Sequence, residues 1–391
     1  MSFGRCNFVF DVYHDNASVK DSERMRRQNA YPIILSMINE STPIPKDMAT
    51  FWPSSANKLL LEKLVYTSLC EKVSVHPIVI GQLVPDEENW QCCIRNESVI
   101  SPYMASQPYI EEADFQIIVH VLDSIKSGYY INVVLSNDVD VAVGLLFYMP
   151  VFLQHGSKEI WFRGGKGDTT QFVPLHTLYE RLGENICSVL PALHSLTGCD
   201  ITSKVGTKKA ALKANPERYL GNFGRYSPLS EGDSQLAEEF LVNVLKSTSK
   251  CKDFMELRSE IFNFSKTSSL LNLPPTSYAL LPHIERAFYN TYLMTHILDD
   301  SLVPLNPELF GFNMDNSSLL PEKRLKEINE SWTVICKCSN CSRTTCPCRT
   351  LSVKCVRFCG CKKRMIAKIL LRHKICCNVK DVSFYLGILF N

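Results

Sequence analysis

Eight cysteines fall within 26 residues, at Cys336, Cys338, Cys341, Cys346, Cys348, Cys355, Cys359 and Cys361, and three pairs among them have C-x-C spacing. Thiols this crowded cannot all close unstrained local disulfides, because a disulfide demands well-separated Cα atoms and directed Cβ atoms. As thiolates they can instead share zinc ions in tetrahedral sulfur cages, and Zn²⁺ binding is the chemistry this spacing predicts. Ten of the 17 cysteines follow residue 335 in a chain of 391. That clustering, in so long a chain, favours metal binding over a secreted disulfide framework and a reducing compartment, the nucleus or the cytosol. Cys6, Cys70, Cys92, Cys93, Cys187, Cys199 and Cys251 are scattered and read as buried or inert.

A second set of candidate groups is acidic: Asp11, then Glu111, Glu112 and Asp114, then Asp138 and Asp140, then Asp200. Gathered together, they suit Mg²⁺ or Mn²⁺, hard cations that prefer carboxylate and water oxygens. Two such ions about 3.5–4 Å apart could clamp an in-line attack on a phosphodiester. Taken singly, each has a plainer use. A D-x-D after a strand is commonly a solvated loop, acids opening a helix complement its dipole, and an Asp after glycine is turn chemistry. Their order along the chain carries the metal expectation.

The elements that must bring these residues together follow from periodicity. Residues 7–10 form a short apolar strand ending at Asp11, and Ser18 to Met37 and Ala56 to Lys72 read as helices. Residues 73–108 have a mixed pattern. Glu111 to Ser127 reads as a helix with Ile117, Ile118, Val121 and Leu122 on its apolar side, followed by a buried strand, Tyr130 to Leu135. Val141 to Tyr148 could be helix or strand, Glu159 to Arg163 is a strand, and Leu175 to Leu196 holds two helical segments split near Gly183. Thr197 to Asp200 breaks the pattern before a helix opened by residues 206–209. Further helices are expected at Glu231 to Lys246, Lys252 to Phe264 and Tyr278 to Leu298. Strands alternating with helices place the chain in the α/β class, where ligands gather at the carboxyl ends of strands. Asp138 and Asp140, two apart in extended backbone, would point to one side.

Charge divides the chain. The net charge is only +2, yet twelve of the 42 cations lie in 336–380 with no Asp or Glu, leaving 30 cations against 40 anions elsewhere. A basic tail on an acidic body suggests a polyanionic partner, DNA or RNA, the alternative being a merely solvated tail. The opening residues lack the basic-then-apolar layout of a secretory signal, and no apolar run reaches membrane-spanning length, so no membrane partner is expected.

In order and spacing, Phe8 to Asp11 with the basic stretch after it, Glu111 to Asp114, Ser136 to Leu146 and Leu182 to Leu212 resemble the flap-endonuclease or 5′-nuclease branch of the PIN-like superfamily. The resemblance covers about residues 7–213. It implies that Asp11, Glu112, Asp114, Asp138, Asp140 and Asp200 surround divalent metals and that Lys20 and Arg24 grip the scissile phosphate. It further implies that the turn and helix from Gly206 to Ala211, with Lys208 and Lys209, hold duplex backbone. The family begins with a strand bearing another metal-binding Asp, which this sequence does not contain. The cysteine segment resembles the tesmin-type CXC domain, a DNA-binding module with nine zinc-binding cysteines. Here the ninth, expected just after Cys361, is replaced by the Lys362-Lys363-Arg364 run, with Cys376 or Cys377 as substitutes, and Arg343, Lys354, Arg357, Lys362 and Lys363 become the expected phosphate contacts. The combination looks closer to a transposon-associated nuclease-like group than to replication enzymes.

The expected organisation is therefore a PIN-like α/β core over 1–215, its sheet mostly parallel and flanked by helices and lacking the family's first strand. A helical extension and linker over 216–335, a CXC zinc-cluster module over 336–380 and an undefined tail over 381–391 follow. The expected function is nuclear: a structure-specific, Mg²⁺- or Mn²⁺-dependent nuclease acting as endonuclease or 5′-exonuclease. The competing expectation is a catalytically inactive DNA-binding or regulatory protein. A Cys-His nucleophile pair at His194 and Cys199 lacks defined geometry across the glycine break, and residues 164–168 lack phosphate-loop spacing.

Overall fold

The computed structural model describes residues 4–11, 19–20, 33–52, 54–71, 76–81, 92–96, 99–103, 112–165, 170–264, 273–299, 305–315, 318–324, 336–339, 345–350, 355 and 359–361. Arg24, Glu111, Cys341, Arg343, Lys354, Arg357, Lys362 and Lys363 lie outside them.

The chain is mixed α/β with small sheets. In one sheet β1 (Cys6–Val9) pairs in parallel with β2 (Ile78–Gly81), which continues antiparallel into β3 (Cys92–Asn96) and β4 (Val99–Tyr103). In another, β5 (Ile131–Leu135) pairs in parallel with β6 (Glu159–Gly164), and β6 pairs antiparallel with β7 (Gln171–Pro174). The sheets are thus mixed rather than mostly parallel. Parallel pairing needs a crossover of about a dozen residues or more, whereas β3 to β4 and β6 to β7 turn back over short connections. Helix α1 (Ser55–Glu71) lies between β1 and β2 in sequence. The stretch expected to be helical up to Met37 is not so over Ile33 to Met37. There Ile33 N–H donates to Thr50 O at 3.0 Å and Leu35 N–H to Asn57 Oδ1 at 2.9 Å, bonds that replace helical ones.

Helix α2 (Ala113–Lys126) runs antiparallel to β1 and fixes its ends. Asp11 Oδ1 accepts from Ala113 N–H at 2.9 Å, Asn7 Nδ2 donates to Ser124 Oγ at 3.0 Å, and Arg5 pairs with Asp123. After α2 the chain reverses into β5, so β1 and β5 run the same way and both end at the carboxylates. Among the described residues β1 and β5 do not pair with each other. On β5, Ile131, Val133 and Leu135 are exposed while Val134 is buried.

Val141 to Tyr148, ambiguous in sequence, is helical: α3 (Val139–Phe147) precedes α4 (Met149–Gln154). With α2, β5, β6, α5 (Leu175–Leu182) and part of α6 (Glu184–Thr197), these helices enclose one core. The other face of α6 packs into a second core with α7 (Lys208–Lys213), α8 (Pro216–Leu220), α9 (Glu231–Leu245), α10 (Phe254–Phe264), α11 (Ser277–Thr295) and the hairpin β8 (Phe312–Asp315) to β9 (Ser318–Pro321). Residues on both sides of position 215 share this second core. A helix packed from two sides must be apolar around its circumference. Accordingly every residue from Val189 to Thr197 is buried.

Polar bonds then fix the turn after α6. From α11, His283 Nε2 donates to Leu196 O at 2.9 Å, Asn290 Nδ2 to Ser195 Oγ at 3.0 Å and Arg286 Nε to Ile201 O at 3.1 Å. Gly198 adopts φ 118°, and a Cβ there would meet Lys204 Cα at 2.8 Å. Strain at such a backbone position costs about 1–3 kcal/mol. Gly198→Ala is expected to lower the unfolding free energy obtained from urea titration by that amount, and an unchanged value would show the turn to be more accommodating.

Candidate functional site

Asp11, Glu112, Asp114, Asp138, Asp140 and Asp200, separated by up to 189 residues, fall in one cluster of mutually interacting charges, with the Lys20 ammonium against three of them. Lys20 Nζ is 2.9 Å from Glu112 Oε2, 3.6 Å from Asp200 Oδ2 and 3.8 Å from Asp114 Oδ2. Each acid is delivered by an element end. Asp11 leaves β1 and serves as the missing side-chain cap of α2, since Glu112 at that N-cap makes no capping bond. Asp114 stands in the first turn of α2.

Asp138 and Asp140 do not sit in continuous extended backbone as the sequence suggested. Asp138 is the extended N-cap of α3 and Asp140 already belongs to its first turn, with Asp140 N–H donating to Asp138 Oδ1 at 2.9 Å. The local cap won because Asp is among the best residues at that position. Asp140 Oδ1 in turn accepts from His194 Nε2 at 2.5 Å. Asp200 occupies the turn held by α11.

Crowding shapes the charges. Burial pushes the Glu112 carboxyl up, Lys20 opposes it, and Asp11 and Asp140 raise it further. Asp114 rises to about 7, first through burial and against Lys20, with Asp138, Glu112 and Asp11 adding to the rise. Asp138 is raised by burial and then by Asp140. Asp140 is the exception: burial favours its neutral form, but the bond and charge from His194, with Lys20 and Lys208, hold it below the usual carboxylate range. Lys20 resists the lowering effect of its own burial because Glu112, Asp114 and Asp200 keep it protonated.

Two residues join this cluster that sequence reasoning did not assign to it. Glu62 on α1 is buried and rises to about 7, through burial and then the neighbouring Asp11 charge. Its one sequence signal is an acid on the helical stripe of Leu59 and Tyr66, where apolar residues are expected. His194, set aside as half of a Cys-His pair, faces Asp140 instead. Cys199 is bonded to Thr202, and burial lifts its thiol to about 11, far from a nucleophile. Cys6, expected buried or inert, is exposed.

Of the expected duplex contacts, Gly206 packs against Val244 on α9, and Lys209 is exposed. Lys208 Nζ donates to the carbonyls of His194 at 2.8 Å and Gly198 at 2.9 Å, tying down the carboxyl end of α6. Burial lowers its ammonium to about 8.

Burial, with the neighbouring acids behind it, has a measurable consequence. Asp114 and Glu62 hold protons more tightly folded than unfolded, so their contribution to stability is complete below about pH 4 and is lost as pH rises through about 7. The melting temperature is therefore expected to fall between pH 4.5 and 7.5. If these oxygens take a cation, Mn²⁺ should raise it much more at pH 7.5 than at pH 4.5. Equal Mn²⁺ shifts at both values would place the ion elsewhere.

The cysteines form a separate cluster. Cys336, Cys346, Cys348 and Cys355 bring their sulfurs within 4.8 Å of one another and could hold a metal ion, consistent with zinc. Cys336 Sγ is 3.9 Å from the sulfurs of both Cys355 and Cys361, and Cys348 Sγ is 3.7 Å from that of Cys359. A tetrahedral zinc with Zn–S near 2.3 Å has sulfur–sulfur edges of about 3.8 Å, so the donor set fits. Gly360 N–H donates to Cys336 O at 2.8 Å and closes the loop, and a Cβ at Gly360 would meet Cys338 O at 2.9 Å. Cys338 rises to about 11 chiefly through the Cys346 thiol, and Cys348 to about 11 through burial and then Cys359. Metal binding must therefore displace protons. Among the described residues this is the one group of three or more donors so closely spaced. The carboxylates stand wider apart, with Lys20 between them.

No known protein family matches the chain, and no curated protein or solved structure matches it either. Among the described residues no helix is long and apolar enough to cross a membrane.

Proposed function

We propose that the protein is a nucleic-acid-binding, divalent-metal-dependent nuclease with a PIN-like core, whose cysteine cluster holds zinc and supplies duplex affinity. The observation that carries this reading is the convergence of six acids from four separate stretches of chain on one half-buried site at the ends of β1 and β5. Asp11, Glu112, Asp114, Asp138, Asp140 and Asp200 would hold Mg²⁺ or Mn²⁺. When bound, such ions supply activation of water and neutralisation of charge on a phosphodiester. The chain's own residues do the rest. Buried carboxylates fix the geometry, Asp140 stays ionised beside His194, and the Lys20 ammonium is placed to exchange a carboxylate partner for a phosphate oxygen. The basic segment 336–380 favours DNA, with RNA a possible substrate, and a nuclear setting follows from that partner.

One observation favours the second reading, a non-catalytic DNA-binding or regulatory protein. Lys20 already neutralises the centre of the cluster, where a cation would have to enter. Mg²⁺-dependent nicking of flap and hairpin DNA separates the two. The chain should nick and the Asp138→Asn, Asp140→Asn double variant should not. Equal behaviour would remove the enzyme and leave the binding protein.

A further inference from the structure

Asp140 has two oxygens in different situations. Oδ1 receives His194 Nε2 at 2.5 Å, while Oδ2 carries no hydrogen bond among the described residues. The two side chains are 13 % and 8 % exposed, so water competes poorly for this bond. The histidine itself is carried by one of the most firmly held stretches of the molecule. Lys208 caps its carbonyl, Asn290 holds Ser195 and His283 holds Leu196. Asp140 is also restrained through its backbone N–H, bonded to Asp138. With both ends fixed, the carboxylate loses the torsional freedom an exposed aspartate would keep.

We propose that His194 is a positioning residue: by engaging Oδ1 it fixes the rotation of the Asp140 carboxylate so that Oδ2 faces the acidic cluster as a pre-oriented oxygen donor for a divalent cation. The inference rests on the metal-site reading above and gives His194 no contact with substrate. Carboxylate ligands are commonly held by such outer hydrogen bonds, and losing one typically weakens metal binding 10- to 100-fold. Neither Cys199 nor Thr202 takes this role, since they bond to each other at 3.2 Å and Thr202 Oγ1 also donates to Ser195 O at 2.6 Å.

The test is a Mn²⁺ titration of the full chain, followed by electron paramagnetic resonance of the free ion, on the unaltered protein, His194→Gln and His194→Asn. The two amides are similar in polarity, but only glutamine reaches as far as imidazole Nε2. Glutamine is expected to keep Mn²⁺ affinity within about threefold and asparagine to lose roughly 10- to 100-fold, with both metal-free variants melting alike. A lesion that merely loosens the core would lower both melting temperatures without separating the two affinities. Equal Mn²⁺ affinity in the two variants and the unaltered chain overturns the positioning role while leaving the metal site standing. No Mn²⁺ uptake by the unaltered chain overturns the site itself, and His194 with it.

Discussion

Asp138→Asn combined with Asp140→Asn is expected to reduce Mg²⁺-dependent cleavage of flap or hairpin DNA by about 10³-fold or more, the scale reached when one preorganised electrostatic contact to a transition state is removed. Both substitutions are nearly isosteric, and asparagine Oδ1 at 138 can still accept from residue 140 N–H, so the start of α3 should survive. What disappears is two negative charges from a site that must collect positive charge. At pH 7.5 the Asp138 substitution should raise metal-free stability, since burial and Asp140 disfavour its anion, and the Asp140 substitution should lower it, since His194 holds that carboxylate ionised, so the double variant should melt close to the parent. The His194 bond to Asp140 can persist to an amide oxygen, which makes the loss electrostatic rather than structural. Cleavage is read by gel, and stability by thermal melting of the same preparations. A variant that melts normally and cleaves like the parent would remove the catalytic reading.

Zinc removal should have the other large effect. The chain is expected to carry at least two zinc ions by elemental analysis, since four sulfurs satisfy one ion and Cys338, Cys359 and Cys361 pack against the same group. Cys348→Ser with Cys359→Ser should remove bound zinc, because both sulfurs are fully enclosed and lie 3.7 Å apart. Apparent structural zinc binding at neutral pH is worth on the order of 10–16 kcal/mol, so its loss should unfold this small segment outright. The two larger cores share no side chain with the thiol cluster and should keep their melting transition. DNA affinity should fall with the zinc, together with the steep salt dependence that a twelve-cation segment confers. Zinc uptake should also weaken as pH falls, because thiols raised to about 11 must each give up a proton to bind. Fewer than two zinc ions per chain would refute a multinuclear cluster, and unchanged DNA affinity after chelation would detach it from recognition.

Much of the helical framework was legible because amphipathic periodicity is local. Ala113–Lys126, Glu231–Leu245 and Ser277–Thr295 lie within a few residues of their predicted bounds, and the break at Gly183 separates two helices as its spacing implied. The strands were harder. Residues 73–108 contain β2, β3 and β4, whose short, mixed pattern has no single period, and the hairpin of β8 and β9 was not foreseen. Val139–Phe147 is so uniformly apolar that periodicity could not decide its type. It is helical because Asp138 caps it and both of its sides meet buried neighbours. The expected helix up to Met37 failed over Ile33 to Met37, where Asn57 and Thr50 take the backbone groups instead.

By itself the amino-acid sequence determined which chemistries were possible: thiols spaced densely enough to hold metal, and acids placed at the ends of elements. Those are properties of composition and near-neighbour spacing, which a linear chain expresses before it folds. Tertiary structure decided that acids up to 189 residues apart join one cluster with Lys20, that Glu62 and His194 belong with them, and that Lys208 is committed to the end of α6. Each of those outcomes depends on which buried face meets which. That choice is made by packing and by the need to satisfy every buried polar group, and neither acts between residues that are merely close in sequence.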